Sequence, residues 1–234
     1  MRLHRFYIEE KINLDEELNL SDKDLINQIR NVFRMQKGDS VILFDGEGFD
    51  YVSEILVLEK TKMVLMPKEK KESVIPKKEI TLFQALIKKD NFEMIAEKCT
   101  EIGVTNFVPV LCERSEKKNL NIERVQKILK EASEQSGRGD VPKIFSILEL
   151  YDLPFGEMPI FVADFDGENV KEINFPNKCG ILIGPEGGFS DEERNFIKDL
   201  ASQKVGDVKV FSLGDTVLRA ETAAIVASGF ALNR

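Results

Sequence analysis

The sequence has 234 residues, of which 42% are hydrophobic and 32% are charged, and its formal net charge at pH 7 is -8. This composition predicts a folded chain of one large or two modest domains and argues against disorder. No stretch approaches the roughly eighteen apolar residues of a membrane span and the first residues lack a signal-peptide pattern, so we expect a soluble cytoplasmic protein with no membrane partner.

The charged and reactive side chains narrow the function classes further. The net negative charge argues against a nucleic-acid partner, because phosphate binding depends on lysine and arginine, but the acidity is concentrated in residues 141–234. The only histidine is His4, so hydrolase chemistry with a Ser-His or Cys-His dyad is disfavoured. The cysteines lie far apart without a CxxC pair, which predicts buried thiols and no metal site. They are Cys99, Cys112 and Cys179.

Basic residues outside the acidic part could still form a local stripe for RNA. The alternative interpretation is an ordinary scatter of surface charges. The stripe would contain Arg2, Arg5, Arg30, Arg34, Lys37, Arg114, Lys117, Lys118 and Arg138.

Residues 1–72 predict a small β-rich domain with one helix. The helix has Ser21 as its N-cap, an apolar face, and Gly38 just past its end. The charged segment 67–79 carries two prolines and little to bury, so it is predicted to be a linker. Alternating strands are predicted at residues 41–44, 51–58 and 62–66.

Residues 73–234 predict a second domain in which strands alternate with helices. Such alternation is typical of a parallel sheet with helices on both faces. One helix is predicted with Asp90 as its N-cap and Gly103 as its C-cap, and another over residues 122–136. Strands are predicted at residues 80–87, 107–111, 160–164, 180–183 and 208–211.

The first glycine-bearing turn of this domain lies in ILIGPEGGFSDEE, residues 181–193. Gly187 and Gly188 allow a positive φ or a close approach to a ligand, and Ser190 with Glu193 predicts a capping box. The turn matches neither the P-loop nor the dinucleotide fingerprint, and the Glu186 carboxylate would repel phosphate. A ligand with an adenosine part and a positive charge fits better, while a purely structural turn is the alternative.

A second turn follows in SLGDTVLRAET, residues 212–222. Turns of this kind in an α/β domain lie side by side at the carboxyl ends of the strands, where such sheets bind ligands. Arg219 stands at a helix start, against the helix dipole, which suggests a functional role; an ion pair with Glu221 or Glu186 is the alternative. The helix that follows, 223–232, is apolar nearly all round and must pack in the core centre or on a second subunit.

Motifs that carry a family resemblance are spread over nearly the whole chain. They are RxxRFYI, IRNVFRMQKGDSVILFDG, KCTEIGV, ERSEKK, EASEQSGR, LIGPEGGFSDEE and LGDTVLRAETA. The combination of GPEGG and VLRAETA at this spacing is highly specific. By these motifs the chain resembles the SPOUT superfamily of RNA methyltransferases and, within it, the RsmE family, which methylates N(3) of a uridine in 16S rRNA of the small ribosomal subunit.

The resemblance implies a small PUA-like β-barrel domain for RNA over residues 1–72. It implies an α/β, SPOUT-type methyltransferase domain over 73–234, with a parallel sheet tied in a deep trefoil knot. It further implies a homodimer and S-adenosyl-L-methionine as the cofactor, held by loops within 183–188 and 213–223. The implied cofactor-binding residues are Ile183, Gly184, Pro185, Glu186, Gly187, Gly188, Leu213, Gly214, Val217, Leu218, Thr222 and Ala223.

The uracil ring becomes anionic as N(3) loses its proton, so a fixed cation in a water-poor site would stabilise it. Arg219 is the first candidate for that cation, with Arg138 and Arg114 next for target orientation or phosphate contact. Glu221 lies near and could act as the base, or could hold Arg219 or the cofactor's amino group. No metal is needed. RNA contacts are expected from Arg5, Arg30, Arg34, Lys37, Arg114 and Lys117.

Two other functions stay open from the sequence. A SPOUT relative that methylates ribose 2′-hydroxyls would share the cofactor site, although such enzymes differ in their loops. Alternatively, the protein could be an RNA-binding or assembly factor whose cofactor pocket no longer functions, against which the intact GPEGG and VLRAET motifs argue.

Overall fold

The computed structural model describes residues 3–203 and 207–233 and divides the chain into two compact units. The first unit is Met1–Ile75 with Ser133–Val141, and the second is Pro76–Ala132 with Pro142–Arg234. Arg2, a member of the predicted cationic stripe, lies outside the described residues. Within the described ranges, no helix combines the length and apolar character needed to cross a membrane.

The first unit is built on a five-stranded sheet in the order β1-β3-β4-β5-β2. Strand β1 pairs parallel with β3, and the other pairs are antiparallel. Its core contains Phe6, Ile29, Leu43 and Ile55, each at most 1% exposed. The strands are β1 (Arg5–Tyr7), β2 (Leu18–Leu20), β3 (Ser40–Phe44), β4 (Phe49–Leu58) and β5 (Met63–Glu72).

The helix of the first unit is shorter than the sequence predicted. Helix α1 covers Lys23–Asn27 and continues as a π-helical turn over Gln28–Val32. Its N-cap is Asp22 and the predicted Ser21 cap is wrong, because the Asp22 carboxylate accepts hydrogen bonds from the N–H groups of Asp24 and Leu25.

The prediction of a linker over residues 67–79 is also wrong for the first half of that segment. Residues from Pro67 onward continue β5 to Glu72, where Phe49 of β4 pairs with it. A proline cannot donate to a strand ladder, and the register between β4 and β5 shifts next to the Ser53–Pro67 pair. This irregularity lets the charged segment stay in the sheet.

Residues Ser133–Val141 belong to the first unit, although the sequence division placed them in the second domain. The Ser133 carbonyl accepts from Arg5 Nη1 at 3.1 Å, and the Gly139 N–H donates to the Val74 carbonyl at 2.7 Å. These hydrogen bonds join residues far apart in sequence, so no local pattern announces them.

The second unit contains a parallel sheet, as the alternation of strands and helices predicted. Its strand order is β12-β10-β11-β6-β7-β8, and β9 also pairs with β7. The strands are β6 (Glu79–Ala85), β7 (Asn106–Leu111), β8 (Lys143–Ile144), β9 (Leu148–Glu149), β10 (Ile160–Asn169), β11 (Lys178–Ile183) and β12 (Val208–Ser212).

The longer helices are α2 (Lys89–Ile102), α3 (Ile122–Ser136), α4 (Asp191–Ser202) and α5 (Ala220–Asn233). Gly103 caps α2 in the left-handed conformation, with φ 115°, which confirms that prediction. The N-cap of α2 is Lys88, and Asp90, which was predicted to cap it, lies in the first turn instead.

Helix α5 buries one side and leaves the other partly exposed. A buried row of small residues lies on one face, and the larger apolar residues Ile225, Val226 and Phe230 are only partly buried. The Lys78 ammonium donates to the Ala231 carbonyl at 2.8 Å near the end of the helix. The buried row is Ala220, Ala224, Ala227, Ser228 and Ala231.

Candidate active site

The second unit carries a cavity of about 140 Å³, formed by the segments that follow the carboxyl ends of β11 and β12 and by the middle of β10. These strands are neighbours in the sheet, with β10 between the other two. The location agrees with the expectation that two glycine-bearing turns meet at this edge. The lining residues are Ala163, Asp164, Phe165, Gly184, Pro185, Glu186, Gly188, Phe189, Arg194, Ser212, Leu213, Gly214, Thr216, Val217, Leu218 and Ala220.

The turn after β11 owes its shape to its glycines and to a buried aromatic ring. Gly188 has φ 68° and its N–H donates to the Pro185 carbonyl at 2.9 Å. A Cβ on Gly184 would lie 3.1 Å from ring atoms of Phe189, which is 2% exposed. Larger residues at these two positions would therefore strain or displace the turn.

The capping box at the start of α4 is confirmed. The Ser190 hydroxyl accepts from the Glu193 N–H, and Glu193 Oε2 accepts from the Ser190 N–H at 2.9 Å. Glu193 is 2% exposed, and its Oε1 also accepts from the Glu113 N–H at 2.8 Å. The second contact ties the ERSEKK segment to the turn, which the sequence analysis missed because the two lie about eighty residues apart.

Arg114 holds the same turn from another direction. Its Nη1 donates to the carbonyls of Gly187 at 3.3 Å and of Phe189 at 3.2 Å. The sequence analysis assigned Arg114 to RNA binding or target orientation. In the structure its guanidinium fixes the backbone of the turn that lines the cavity, which is a positioning role.

The turn after β12 is shaped by a side-chain hydrogen bond. The Ser212 hydroxyl accepts from the Gly214 N–H at 3.2 Å, and Gly214 has φ 130°. Val217 lines the cavity with 82% of its surface exposed. Helix α5 begins after this turn, where the Ala223 N–H donates to the Arg219 carbonyl at 2.9 Å.

Eight of the predicted cofactor-binding residues line the cavity and four do not. Ile183 is 2% exposed and ends β11, Gly187 faces Arg114, and Thr222 and Ala223 lie in the first turn of α5. The eight are Gly184, Pro185, Glu186, Gly188, Leu213, Gly214, Val217 and Leu218.

The sequence analysis missed the third wall of the cavity, Ala163–Phe165. A signal was available, because the predicted strand 160–164 ends next to the two turns in a parallel sheet. The other lining residues outside the predicted loops are Phe189, Arg194 and Ser212. Thr216 and Ala220 lie within the predicted loop 213–223, although they were not named individually.

The residues predicted for catalysis do not line the cavity of this chain. The Arg219 side chain is 86% exposed, and its Nη1 lies 3.9 Å from Glu221 Oε1. Glu221 is 9% exposed, and its buried Oε2 has no hydrogen-bond partner within the part of the chain that the structure describes. Glu186, the other acid considered for Arg219, accepts from the Lys88 N–H at 3.3 Å.

Arg138 belongs to the first unit and is 5% exposed. Its Nε and Nη2 donate to the two carboxylate oxygens of Asp140, at 2.9 and 2.8 Å. This bidentate pair explains the burial of the guanidinium structurally. The predicted role of Arg138 in orienting a target stays a prediction.

One predicted RNA contact, Arg5, requires correction. The residue is 9% exposed, its Nε donates to Asp50 at 3.0 Å, and its guanidinium lies 3.9 Å from the ring centroid of Phe44. Arg5 Nη1 also donates to the Ser133 carbonyl, and Nη2 donates to the Ser73 hydroxyl. Arg5 therefore stabilises the first unit and does not present its charge to a phosphate. Four other predicted contacts are exposed: Arg30, Arg34, Lys37 and Lys117.

The three thiols are buried, as predicted, and burial raises their pKa from the ordinary 9.0 to about 12. Among the residues that the structure describes, no group of three or more His, Cys, Asp or Glu side chains could hold a metal ion.

Two family descriptions match the chain. The RNA methyltransferase domain matches residues 75–232, and the RNA methyltransferase PUA domain matches residues 20–65. Among individual relatives, the ribosomal RNA small subunit methyltransferase E of Rickettsia conorii is 28% identical over 97% of this chain and 94% of its own length. The protein of the same name from Bacillus subtilis is 30% identical over 96% of this chain and 94% of its own.

Solved structures show the same similarity over the whole chain. A methyltransferase from Legionella pneumophila, in complex with S-adenosylmethionine, superposes with a TM-score of 0.87 at 27% identity, covering 99% of this chain and 97% of its own. A ribosomal RNA small subunit methyltransferase E from Neisseria gonorrhoeae, also bound to S-adenosylmethionine, gives a TM-score of 0.81 at 26% identity, covering 97% and 95%.

Proposed function

This chain belongs to the ribosomal RNA small subunit methyltransferase E family, and we propose that it transfers the methyl group of S-adenosylmethionine to N(3) of a uridine in 16S rRNA. The observation that carries the proposal is the cavity between the two glycine-bearing turns, at the edge where a parallel sheet binds ligands. Whole-length similarity to structures solved with this methyl donor supports it.

The cavity wall fits a donor that has a cationic centre and a flat, uncharged aromatic ring. The wall contains the carboxylates of Asp164 and Glu186 and the guanidinium of Arg194, which pairs with Asp164 at 3.2 Å. The remaining negative charge of Glu186 favours a positively charged ligand and disfavours a phosphate. Leu213, Val217 and Leu218 supply apolar surface. When bound, the donor supplies an electrophilic methyl group on a sulfonium. The protein's own contribution is to hold the turn after β11 through Arg114 and Glu193 and the turn after β12 through the Ser212 hydroxyl.

Arg219 is the proposed cation for the uracil anion that forms as N(3) loses its proton. Its exposed guanidinium has one described charged neighbour, Glu221 at 3.9 Å, so most of its donors remain available to a substrate. A fixed positive charge beside developing negative charge stabilises the transition state more than the ground state. Glu221 orients Arg219 or accepts a proton, and its buried Oε2 provides an acceptor for a donor that arrives with the ligand or with a second chain.

A second copy of the chain is the proposed partner of α5. Ile225, Val226 and Phe230 are large apolar residues that one chain leaves partly exposed. Covering them in a homodimer would bury this surface and bring a second subunit to the helix whose first turn carries Glu221. The dry surroundings that a catalytic Arg219 needs would then come from that subunit or from bound RNA.

RNA binding is proposed for the exposed basic residues Arg30, Arg34 and Lys37 of the first unit and Lys117 of the second. Recognition of a folded small-subunit RNA by shape would suit a chain with net charge -8. The base must be unpaired before its N(3) can react. We place this activity in the cytoplasm.

The family's deep trefoil knot is proposed for the second unit. This proposal rests on membership of the family. The strand order, with β10 between β11 and β12, is compatible with a knot and equally with an unknotted sheet. Knots are rare among proteins.

The test is nucleoside mass analysis of small-subunit rRNA after incubation with the protein and isotopically labelled donor. Labelled N(3)-methyluridine is the expected product. Labelled 2′-O-methylnucleosides would contradict the proposal in favour of ribose methylation, and absence of donor binding in calorimetry would favour an RNA-binding factor.

Substitution of the catalytic cation gives a second test. Arg219→Ala should abolish turnover and leave donor affinity within several-fold, because Arg219 acts on the uracil and lies outside the cavity wall. The control is Arg124→Ala, which removes another exposed arginine of the second unit that pairs with Glu93. Persistent turnover in the Arg219 variant, or equal loss in both, would show that the assignment is wrong.

A further inference from the structure

Beside the cavity, the pairing of β10 with β12 is interrupted for four residues of β10. It pairs with β12 at Ala163↔Phe211 and again at Glu168↔Phe211, so residues 164–167 are looped out between two pairs that share one partner. We call this segment, Asp164–Gly167, the β10 bulge. Bulges of this kind re-aim side chains and are common next to active sites.

The β10 bulge is held in place from both sides. A Cβ on Gly167 would lie 2.4 Å from backbone atoms of Phe211, so only glycine lets the two strands approach this closely. Helix α4 supplies two ion pairs to it: Arg194 Nε lies 3.2 Å from Asp164 and Lys198 Nζ lies 3.1 Å from Asp166. The Gly167 contact and the partly buried Arg194–Asp164 pair therefore hold the bulge, and the exposed Lys198–Asp166 pair adds little.

The bulge presents an aromatic side chain at the cavity. Phe165 lines the cavity and is 53% exposed, and Val217 of the facing turn lines it with 82% exposed. Two other large exposed aromatic residues of the second unit, Phe145 and Tyr151, are not part of the wall. Two apolar side chains exposed at one cavity favour a ligand with a large apolar face, because that ligand would remove their surface from water.

We infer that Phe165 is a donor-binding residue that packs on the adenine ring of the methyl donor, an inference that rests on the proposed function. Adenine is the flat, uncharged part of that molecule. The methionine part carries charges that a phenyl ring cannot pair with, whereas the same wall contains the Glu186 carboxylate and the Arg194–Asp164 ion pair. Packing of an aromatic side chain on a base strengthens binding by about tenfold or more.

The experiment is titration calorimetry of the full chain with two probes, S-adenosylmethionine and 5′-methylthioadenosine, which keeps the adenosine but lacks the amino-acid part. Phe165→Ala should weaken both by about tenfold, and by the same factor, because the lost contact is to the shared ring. Phe165→Tyr keeps an aromatic ring and should bind within about twofold of the unchanged protein. The matched control is Phe145→Ala, an exposed phenylalanine of the same unit, which should change neither affinity.

Gly167→Ala provides a second variant that leaves Phe165 intact. The added methyl must displace the β10 bulge from Phe211, so the affinity for both probes should fall as it does in Phe165→Ala. Thermal melting checks that each variant is folded.

Two results would overturn the inference: unchanged affinity of Phe165→Ala for both probes, or a loss of affinity for S-adenosylmethionine alone. If the unchanged affinity came with a raised KM for RNA, Phe165 would contact the target base instead. These outcomes are distinct from failure of the proposed function, in which the unsubstituted protein itself binds no donor.

Discussion

Removing the Glu193 carboxylate should destabilise the second unit and loosen the turn after β11. Glu193 is 2% exposed and accepts two backbone hydrogen bonds, from Ser190 at 2.9 Å and Glu113 at 2.8 Å. Glu193→Ala leaves both N–H groups without this acceptor, and each lost partner costs about 1–3 kcal/mol. We expect a total of about 3 kcal/mol, which lowers the melting temperature by about 6–12 °C for a protein of this size.

The assay is scanning calorimetry, with donor titration on the same samples. The control is Glu192→Ala, which removes an exposed carboxylate from the same first turn of α4 and should cost at most about 1 kcal/mol. The melting temperature of Glu193→Gln should lie between those of the two alanine variants, because its single amide oxygen can replace only one of the two carboxylate acceptors well. If Glu193→Ala melts within about 2 °C of Glu192→Ala, the argument that this carboxylate joins two segments of the site is refuted.

Two further predictions concern buried groups. Asp50→Ala should lower the free energy of unfolding by about 3–5 kcal/mol, because it leaves Arg5 buried without its carboxylate; urea denaturation checks this, with the exposed Glu47→Ala as control. The cysteines should react with a disulfide reagent at pH 8 only after unfolding, since burial raises the pKa of each thiol to about 12. The unfolded thiols lose protons first as pH rises, so stability should fall between about pH 9 and pH 12, and rapid labelling of the folded protein would contradict this assignment.

The sequence predicted the features of the site that depend on interactions between residues close together in the chain. The Ser190–Glu193 capping box and the positive φ of Gly188 depend on residues next to each other in the chain, and the structure has both. The placement of the two glycine-bearing turns at one sheet edge followed from a general rule for parallel sheets. These features required no knowledge of long-range contacts.

The parts that could not be predicted depend on contacts between distant residues. The residues next to Arg5 in the sequence do not indicate that it is buried with Asp50 and the Ser133 carbonyl as its hydrogen-bond acceptors. Pro67 resembles linker sequence until the irregular register with β4 is known. The carboxyl end of the predicted strand 160–164 indicated that this segment reaches the same sheet edge. The interruption of pairing with β12 between Ala163 and Glu168, which places Phe165 at the cavity, had no signal in the neighbouring residues.

The most direct test of the whole account is a crystal structure of the protein with S-adenosylmethionine. The account predicts the donor between the turn at residues 184–188 and the turn at 213–218, with its methyl group turned toward the side of Arg219. A donor bound elsewhere, or an Arg219 guanidinium that faces only bulk solvent in a complex that also contains the target uridine, would contradict it.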